Sequence, residues 1–304
     1  MEEKVKAARL SIFSNTSLII IKLIVGLITG SVSIISEAIH STMDLAASII
    51  AFFSVKISSK PADREHPYGH GKFENVSGVI EAMLILVASL WIIIESVGKI
   101  LNKQEMFSSN VGFLIMFLSA GINYLVSRKL YETSKKVDSI ALEADALHLK
   151  TDVYTSLGVG LGLFFIWLTN FYFLDPLIAI LVAVFILKEA FVLLKTAFNP
   201  LLDVKLCDTE IDTITKTLSK YNLGYCNFHK LRTRKSGNKR YIDLHLVFPQ
   251  DMSVKDAHDI CDKIETEIEH SLKNTESMIH LESCNNNCEN CQFCKRAECK
   301  TDRN

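Results

Sequence analysis

Six long apolar segments occupy the first two-thirds of the chain and constrain its fold more than any other feature. Each approaches or exceeds the roughly 20 residues that an α-helix needs to cross the hydrocarbon core of a bilayer. One such segment is compatible with a buried helix of a soluble protein, but six in succession favour a bundle of six transmembrane helices. The segments are residues 10–30, 32–57, 76–100, 111–130, 142–168 and 173–198.

The composition indicates that a soluble part accompanies the membrane part. Of the 304 residues, 49% are hydrophobic, which is high for a soluble domain, yet 22% are charged, which is high for a membrane bundle alone. A two-part chain accounts for both values. The formal net charge of −1 gives no support for a nucleic-acid partner.

Lysine and arginine residues are concentrated before the first apolar segment, between the second and third, and between the fourth and fifth. Because cytoplasmic connections carry the excess of positive charge, this pattern predicts a multi-pass protein of the cell membrane with both termini in the cytoplasm. No small-residue cleavage site follows the first segment, so we expect it to remain as a helix.

The pattern changes after the sixth segment. Residues 204–283 contain a helical stretch, two β-type runs around a Lys-Ser-Gly-Asn turn, a second helical stretch and a short last strand. This α-β-β-α-β order predicts a small α+β domain with its helices on one face of a sheet. We therefore expect three parts, namely a transmembrane domain (1–203), a cytoplasmic domain (204–283) and a Cys-rich flexible tail (284–304).

Two apolar segments contain ionisable pairs at helical spacing. His40 and Asp44 lie one turn apart in the second segment, and His148 and Asp152 lie one turn apart in the fifth. Charged residues at the bilayer centre cost about 2.5–3.5 kcal/mol each, so matched pairs favour a functional role. Together the four side chains would form a tetrahedral site of the zinc type. The alternative is a set of interhelical hydrogen bonds that only holds the bundle together.

Two carboxylates precede these histidines by three residues. Glu37 and Asp145 are candidates to accept hydrogen bonds from the imidazole N–H groups. They can equally be solvated groups near the helix ends, and we favour this second interpretation.

Other candidate ligands lie outside the apolar segments. Asp63, His66 and His70 follow one another at spacings of three and four in the loop after the second segment, where they could hold one ion or be incidental polar residues. In the soluble part, strand alternation places His245 on a polar face, but spacing alone does not show whether the other histidines converge on it.

Taken together, these motifs resemble the cation diffusion facilitator family of metal/proton antiporters over nearly the whole chain, to about residue 284. The resemblance implies homodimers in which each subunit has six spans and a cytoplasmic ferredoxin-like domain. It rests on His40-x-x-x-Asp44, Asp63-x-x-His66-x-x-x-His70-Gly-Lys72, His148-x-x-x-Asp152, and the run HKLRTRKSG followed by LHL.

The resemblance implies three metal sites and one contact between subunits. Some relatives have Asp where this chain has His40, and an imidazole favours zinc-like ions over manganese. The implied transport site is His40, Asp44, His148 and Asp152; the loop site is Asp63, His66 and His70; the cytoplasmic dimer-interface site is His229, His245, His258 and His280 with Glu282; and Lys72 and Asp203 match a charged pair that holds the subunits of relatives together.

The tail contains a dense cysteine run. Cytoplasmic thiols stay reduced, so we expect thiolate capture of Zn²⁺, Cd²⁺ or Cu⁺ rather than disulfides, with an iron–sulfur cluster as the alternative. Cys261, outside the tail, is expected to be a buried packing residue. The expected tail ligands are Cys284, Cys288, Cys291 and Cys294.

The resemblance and the residues together predict a secondary transporter, not an enzyme. Zn²⁺ would leave the cytoplasm in exchange for protons and, when abundant, regulate the protein through the cytoplasmic domain; no organic cofactor is expected. Neither a Walker nor a dinucleotide fingerprint is present, so an ion gradient would supply the energy. The alternatives are transport of Cd²⁺, Co²⁺, Fe²⁺ or Mn²⁺ by the same mechanism, or a membrane metal sensor that does not transport.

Overall fold

The computed structural model describes residues 2–29, 32–102, 112–169 and 174–284. The chain divides into two compact units, Met1–Leu201 and Leu202–Asn304. We call the first the helical unit and the second the sheet unit.

The helical unit contains one long helix for each predicted apolar segment. By length and apolar composition, the stretches Glu3–Val25 and Lys72–Gly98 could each cross a membrane, within the part of the chain that the structure describes. The topology of six spans therefore stays a prediction. The helices are α1 (Glu2–Thr29), α2 (Val32–Ser58), α3 (Lys72–Asn102), α4 (Gly112–Val137), α5 (Ile140–Thr169) and α6 (Leu174–Phe198), followed by the 3₁₀ turn Asn199–Leu202.

Small residues let these helices pack closely. A Cβ atom at Gly78 of α3 would lie 2.9 Å from Ile140 Cγ2 and 3.1 Å from Ala197 Cβ, so α3 approaches the start of α5 and the end of α6 at this point. Farther along α3, Ala82 packs against Ala144 of α5 in a buried apolar cluster. Large apolar side chains such as Trp91 point outward, as expected for helices that face lipid.

A buried carboxylate joins the ends of several helices. Glu74, in the first turn of α3, accepts hydrogen bonds from Lys4 Nζ (2.8 Å) and Ser58 Oγ (2.7 Å), and its second oxygen accepts one from Ser139 Oγ. These partners come from α1, the end of α2 and the link before α5. A buried carboxylate that accepts hydrogen bonds from three segments fixes the mutual positions of these helices.

The sheet unit has the predicted order of elements. Its three strands form one mixed sheet in the order β1-β2-β3, in which β1 pairs antiparallel and β3 parallel with β2. Gly237, at φ 59°, occupies the tight turn between β1 and β2. The elements are α7 (Asp208–Lys220), β1 (Asn227–Ser236), β2 (Lys239–Phe248), α8 (Val254–Ser271) and β3 (Thr275–Ser283).

One face of this sheet is covered by both helices. Alternate residues of β2 enter a single apolar core with side chains of α7 and α8, as the alternation of the strand predicts. Cys261 lies in this core, 3% exposed, where burial and the nearby carboxylates of Glu265 and Asp262 raise the pKa of its thiol to about 12. The ferredoxin-like description stays a prediction. The core residues of β2, α7 and α8 are Ile242, Leu244, Leu246, Phe248, Ile214, Leu218, Ala257, Cys261, Ile264 and Ile268.

Candidate metal centres

The first group of possible ligands, which we call the helical-unit group, consists of Asp44 on α2 with His148 and Asp152 on α5. Their donor atoms all lie within 4.8 Å of one another. His148 and Asp152 share a helix face because they are four residues apart. His40 lies one turn before Asp44 in α2, but its side chain is outside the described part of the structure, so its role as fourth ligand stays a prediction.

The spacing within this group suits a small tetrahedral ion. His148 Nε2 lies 3.3 Å from Asp44 Oδ1. Ligand atoms at about 2.0–2.1 Å from a tetrahedral Zn²⁺ are separated from each other by roughly 3.3–3.4 Å. The side chains of His148 and Asp44 are each 12% exposed, so an ion between them would be largely shielded from water.

Asp145 differs from the sequence-based expectation. It is fully buried, and Ser48 Oγ donates a hydrogen bond of 3.0 Å to its Oδ1. Asn15 Nδ2 in turn donates to Ser48 Oγ over 2.8 Å, so one polar network links α1, α2 and α5. The interpretation as a solvated group is therefore wrong for Asp145, because its face of α5 packs inside the bundle. The side chain of Glu37 lies outside the described residues.

Two buried ionisable residues escaped the sequence analysis. Glu81 of α3 is 0% exposed and interacts electrostatically with Asp145 and His148. Lys22 of α1 is 4% exposed and donates a hydrogen bond of 2.8 Å to Ser41 Oγ, next to His40 in sequence. A charged residue within an apolar run is itself a signal of function, and that signal was available for both.

The loop between α2 and α3 brings together Asp63, His66 and His70, whose donor atoms also lie within 4.8 Å of one another. The two carboxylate oxygens of Asp63 are each 3.3 Å from one imidazole nitrogen. The backbone N–H of His66 donates to Asp63 Oδ1 and is the main cause of a lowered pKa at this carboxyl, so Asp63 is charged at neutral pH. Gly69, at φ +81°, permits the tight turn before His70.

The third group, which we call the sheet-unit group, consists of His229 on β1, His245 on β2 and Glu282 on β3. Glu282 Oε1 is 2.6 Å from His245 Nδ1, and Oε2 is 3.1 Å from His229 Nε2. The hydrogen bond with His245 is the main cause of a lowered pKa of Glu282. All three residues lie on the sheet face that α7 and α8 leave open.

The strand register explains this convergence. His229 is opposite His245, and His245 is opposite His280, so three histidines form a row across the sheet. A bulge follows His229 in β1, with Lys230 at φ 53° and the next pair at Arg232. Bulges of this kind redirect side chains at functional sites.

Two predicted ligands of the sheet unit do not join the group of three. The ring of His280 lies 4.7 Å from that of His245, but its nitrogens are not among the clustered donor atoms. His258 lies on α8, which covers the opposite sheet face, and its Nδ1 is 3.0 Å from Asp262 Oδ1. A role for either residue at an interface between subunits stays a prediction.

The remaining predicted residues are placed as follows. Lys72 begins α3 in the helical unit, and Asp203 lies in the sheet unit with its Oδ1 3.8 Å from Arg234 Nη1. Their pairing between subunits stays a prediction. Cys284 ends the described part of the chain and is 1% exposed. Cys288, Cys291 and Cys294 lie outside the described residues, so metal capture by the tail also stays a prediction.

Two family models together match most of the chain. Residues 8–202 match the model of the cation efflux transmembrane domain, and residues 206–284 match that of the cytoplasmic domain of cation efflux proteins. The transporter sll1263 of Synechocystis is 36% identical over 84% of this chain and 82% of its own length. The cation-efflux pump FieF of Yersinia pestis is 31% identical over 92% of this chain and 93% of its own.

A solved structure of a transporter domain is also similar in sequence to part of this chain. The metal-bound C-terminal domain of the CzcD transporter from Thermotoga maritima is 32% identical. The match covers 26% of this chain and 94% of that one, with a TM-score of 0.24.

Proposed function

Since the chain belongs to the cation diffusion facilitator family of cation-efflux proteins, we propose that it exports Zn²⁺ from the cytoplasm in exchange for protons. Efflux of divalent metal cations follows from membership of the family. The identity of the ion and the exchange for protons are the finer proposals. The observation that supports them best is the helical-unit group, in which two helices place an imidazole and two carboxylates at the spacing of a small ion.

The chemistry of this group couples the ion to protons. Zn²⁺ binds the ionised carboxylate and the neutral imidazole, so protons and metal compete for the same atoms. A site open to the cytoplasm would take the ion, and protons that arrive from outside would displace it after the site reorients. Because the group is shielded from water, an unbalanced charge is costly in either state, which favours strict exchange over leak.

The donor types make zinc the first choice among substrates. Imidazole nitrogen and carboxylate oxygen together are typical of Zn²⁺ sites, whereas Mn²⁺ prefers oxygen ligands alone. Transport of Cd²⁺, Co²⁺, Fe²⁺ or Mn²⁺ by the same mechanism is the alternative. A sensor that binds metal without moving it is the alternative from another class.

The sheet unit would serve as the regulator. The sheet-unit group lies on the uncovered sheet face, and a second copy of the same face would add further histidines, so we propose a homodimer that metal draws together on the cytoplasmic side. A ligand that binds one of two states more tightly shifts the equilibrium between them. This proposal includes a multi-pass arrangement in the cell membrane with both termini in the cytoplasm.

The test is flux through the purified full-length protein in proteoliposomes that contain a zinc-sensitive dye. We expect Zn²⁺ to enter when an outward proton gradient is imposed and the vesicle lumen to become more alkaline as it does. A panel of the five metals under the same conditions ranks the substrates. Binding of zinc without flux under any gradient would favour the sensor and overturn the transport proposal.

A further inference from the structure

We propose that Glu81 is a positioning residue for His148, whose Nδ1–H it accepts in a hydrogen bond when Nε2 binds the transported ion. This inference rests on the proposed function, since it assigns to the same transport site a residue that holds one of the metal ligands in position. Helix α3 would then contribute a residue to the transport site, together with α2 and α5.

Glu81 is unusual among the buried acids that the structure describes. Its side chain is 0% exposed, and both carboxylate oxygens are buried without a hydrogen-bond partner in the described part of the chain. Glu74, one of the other buried acids, has both of its oxygens hydrogen-bonded. A buried carboxylate without partners carries a large desolvation cost, so its presence calls for a cation or a hydrogen-bond donor nearby.

His148 is the candidate hydrogen-bond donor to Glu81. Its Nε2 faces Asp44 at 3.3 Å, while its Nδ1 is buried and has no hydrogen-bond partner among the residues described. An imidazole that binds a metal through Nε2 must carry its proton on Nδ1, and that N–H usually donates to a carboxylate. Ala82, next to Glu81 on α3, shares a packed cluster with Leu147, next to His148 on α5. Glu81 and His148 also interact electrostatically, so the acceptor and the donor that both lack a partner lie in the same region.

Asp145 is the competing acceptor, but one of its carboxylate oxygens is already hydrogen-bonded. It lies three residues before His148 on the same helix, and its Oδ2 is also buried without a hydrogen-bond partner among the described residues, but its Oδ1 accepts from Ser48 and so ties the carboxylate to α2. Glu81 comes from the neighbouring helix, and the small residues Ala82 and Ala144 bring α3 and α5 together beside it. Both of its oxygens lack partners among the described residues, so a hydrogen bond to His148 would replace no existing one.

The assignment predicts opposite effects on stability and on binding. Replacement of a buried, unpartnered carboxylate by an apolar side chain of similar size removes a desolvation cost, so Glu81→Leu should stabilise the metal-free protein. The same change leaves the Nδ1–H of His148 without an acceptor, so it should weaken metal binding. A residue with only a structural role would not move the two quantities in opposite directions.

The experiment compares Zn²⁺ affinity and thermal unfolding of the full-length protein in nanodiscs. Glu81→Leu should raise the dissociation constant about 10–100-fold, the range seen when the carboxylate partner of a ligand histidine is lost. Glu81→Gln keeps an acceptor oxygen and should recover most of the affinity. The matched control is Glu189→Leu on α6, a half-buried acid outside the described ligand groups, which should leave affinity unchanged.

Several results would overturn the assignment. An unchanged dissociation constant for Glu81→Leu would show that Glu81 does not act on the ion. Equal losses for the Leu and Gln variants would show that its charge, not its hydrogen bond, matters, and weaker binding by Asp145→Asn alone would transfer the role to Asp145.

The role of Glu81 and the transport of zinc can be tested independently of each other. If the wild-type protein binds Zn²⁺ but never moves it across vesicles, the transport proposal is wrong, and the affinity comparison still decides the role of Glu81. If flux is present, Glu81→Leu should raise the KM for zinc and leave the maximal rate nearly unchanged, because a group that holds the ligand in place acts mainly on binding.

Discussion

The helical-unit group and the sheet-unit group use the same ligand types in different surroundings. In the helical unit the ligands lie between packed helices, His148 and Asp44 are 12% exposed, and buried polar atoms nearby have no hydrogen-bond partner in the described structure. In the sheet unit the ligands lie on an open face, His229 and Glu282 are 37% and 31% exposed, and the carboxylate already pairs with two imidazoles.

The two surroundings should affect the strength of metal binding in different ways. Water screens charges on the open face, so a metal there gains little beyond its direct ligands and can exchange readily with the solvent. Between the helices the same charges interact strongly, and either a metal or protons must balance them. We therefore expect the helical-unit group to be much more sensitive than the sheet-unit group to the loss of a single carboxylate.

The largest effect should follow from Asp152→Asn. Loss of one partner of a buried charged set costs about 3–5 kcal/mol, and each 1.4 kcal/mol is tenfold in affinity, so zinc binding at the helical-unit group should fall by at least about 100-fold. Zinc flux into proteoliposomes measures the result and should fall to the level of empty vesicles. Full flux through this variant would remove the helical-unit group from the transport path.

The control for this variant is Glu132→Gln. Glu132 is an exposed acid that pairs with Arg128 Nε over 3.0 Å on the surface of α4. Exposed pairs contribute about 0–1 kcal/mol, so the control should transport at the wild-type rate.

The next effect, Ser48→Ala, tests whether the polar network supports the buried group. Ser48 Oγ accepts from Asn15 and donates to Asp145, so its loss removes at least two hydrogen bonds from a buried network. We expect a loss of about 1–3 kcal/mol in the free energy of unfolding, measured by chemical denaturation in detergent micelles. Ser17→Ala removes a hydroxyl whose partner among the described residues is the carbonyl of Phe13 in its own helix, so it should have little effect. Equal stability of the two variants would contradict the role of the network.

The sequence predicted the ligands that spacing can relate. His148 and Asp152 share a face because they lie four residues apart, and alternation along β2 placed His245 on the polar face of the sheet. Spacing could not show that Glu81 approaches α5, because a single charged residue in an apolar run has no partner at a fixed distance in sequence. The burial of Asp145 was missed for a related reason, since it depends on which face of α5 packs against α2.

A smaller effect is expected from Glu282→Gln in the sheet unit. Its carboxylate is the only acid in the sheet-unit group among the residues described, so its loss should weaken metal binding there on the order of tenfold, less than at Asp152 because water screens the site. Zinc titration of the full-length protein that also carries Asp152→Asn and Asp63→Asn weakens the other two described ligand groups, so the remaining change reports on this site. A decrease as large as that of Asp152→Asn would remove the distinction between the two groups.

The matched control lies on the same strand. Glu276 is exposed and pairs with Lys239, six residues before Glu282 on β3. Glu276→Gln should leave zinc binding unchanged, so weaker binding by this variant would indicate a general effect of surface charge instead of ligation.

The smallest effect is expected for Glu210, a partly buried acid of the sheet unit that is not in any of the described ligand groups. Burial by itself would raise the pKa of Glu210, but hydrogen bonds from Arg240, at 2.6 Å, and from Cys207 lower it overall. A carboxyl whose pKa is lower in the folded state stabilises the fold above its unfolded pKa of about 4.5, and this contribution is lost as the pH falls through the folded value. Glu210→Gln should therefore cost up to about 1 kcal/mol at neutral pH and nothing in acid. Thermal unfolding of both proteins across this range measures the difference, and curves that stay parallel down to acid pH would show that the paired charge of Glu210 does not stabilise the sheet unit.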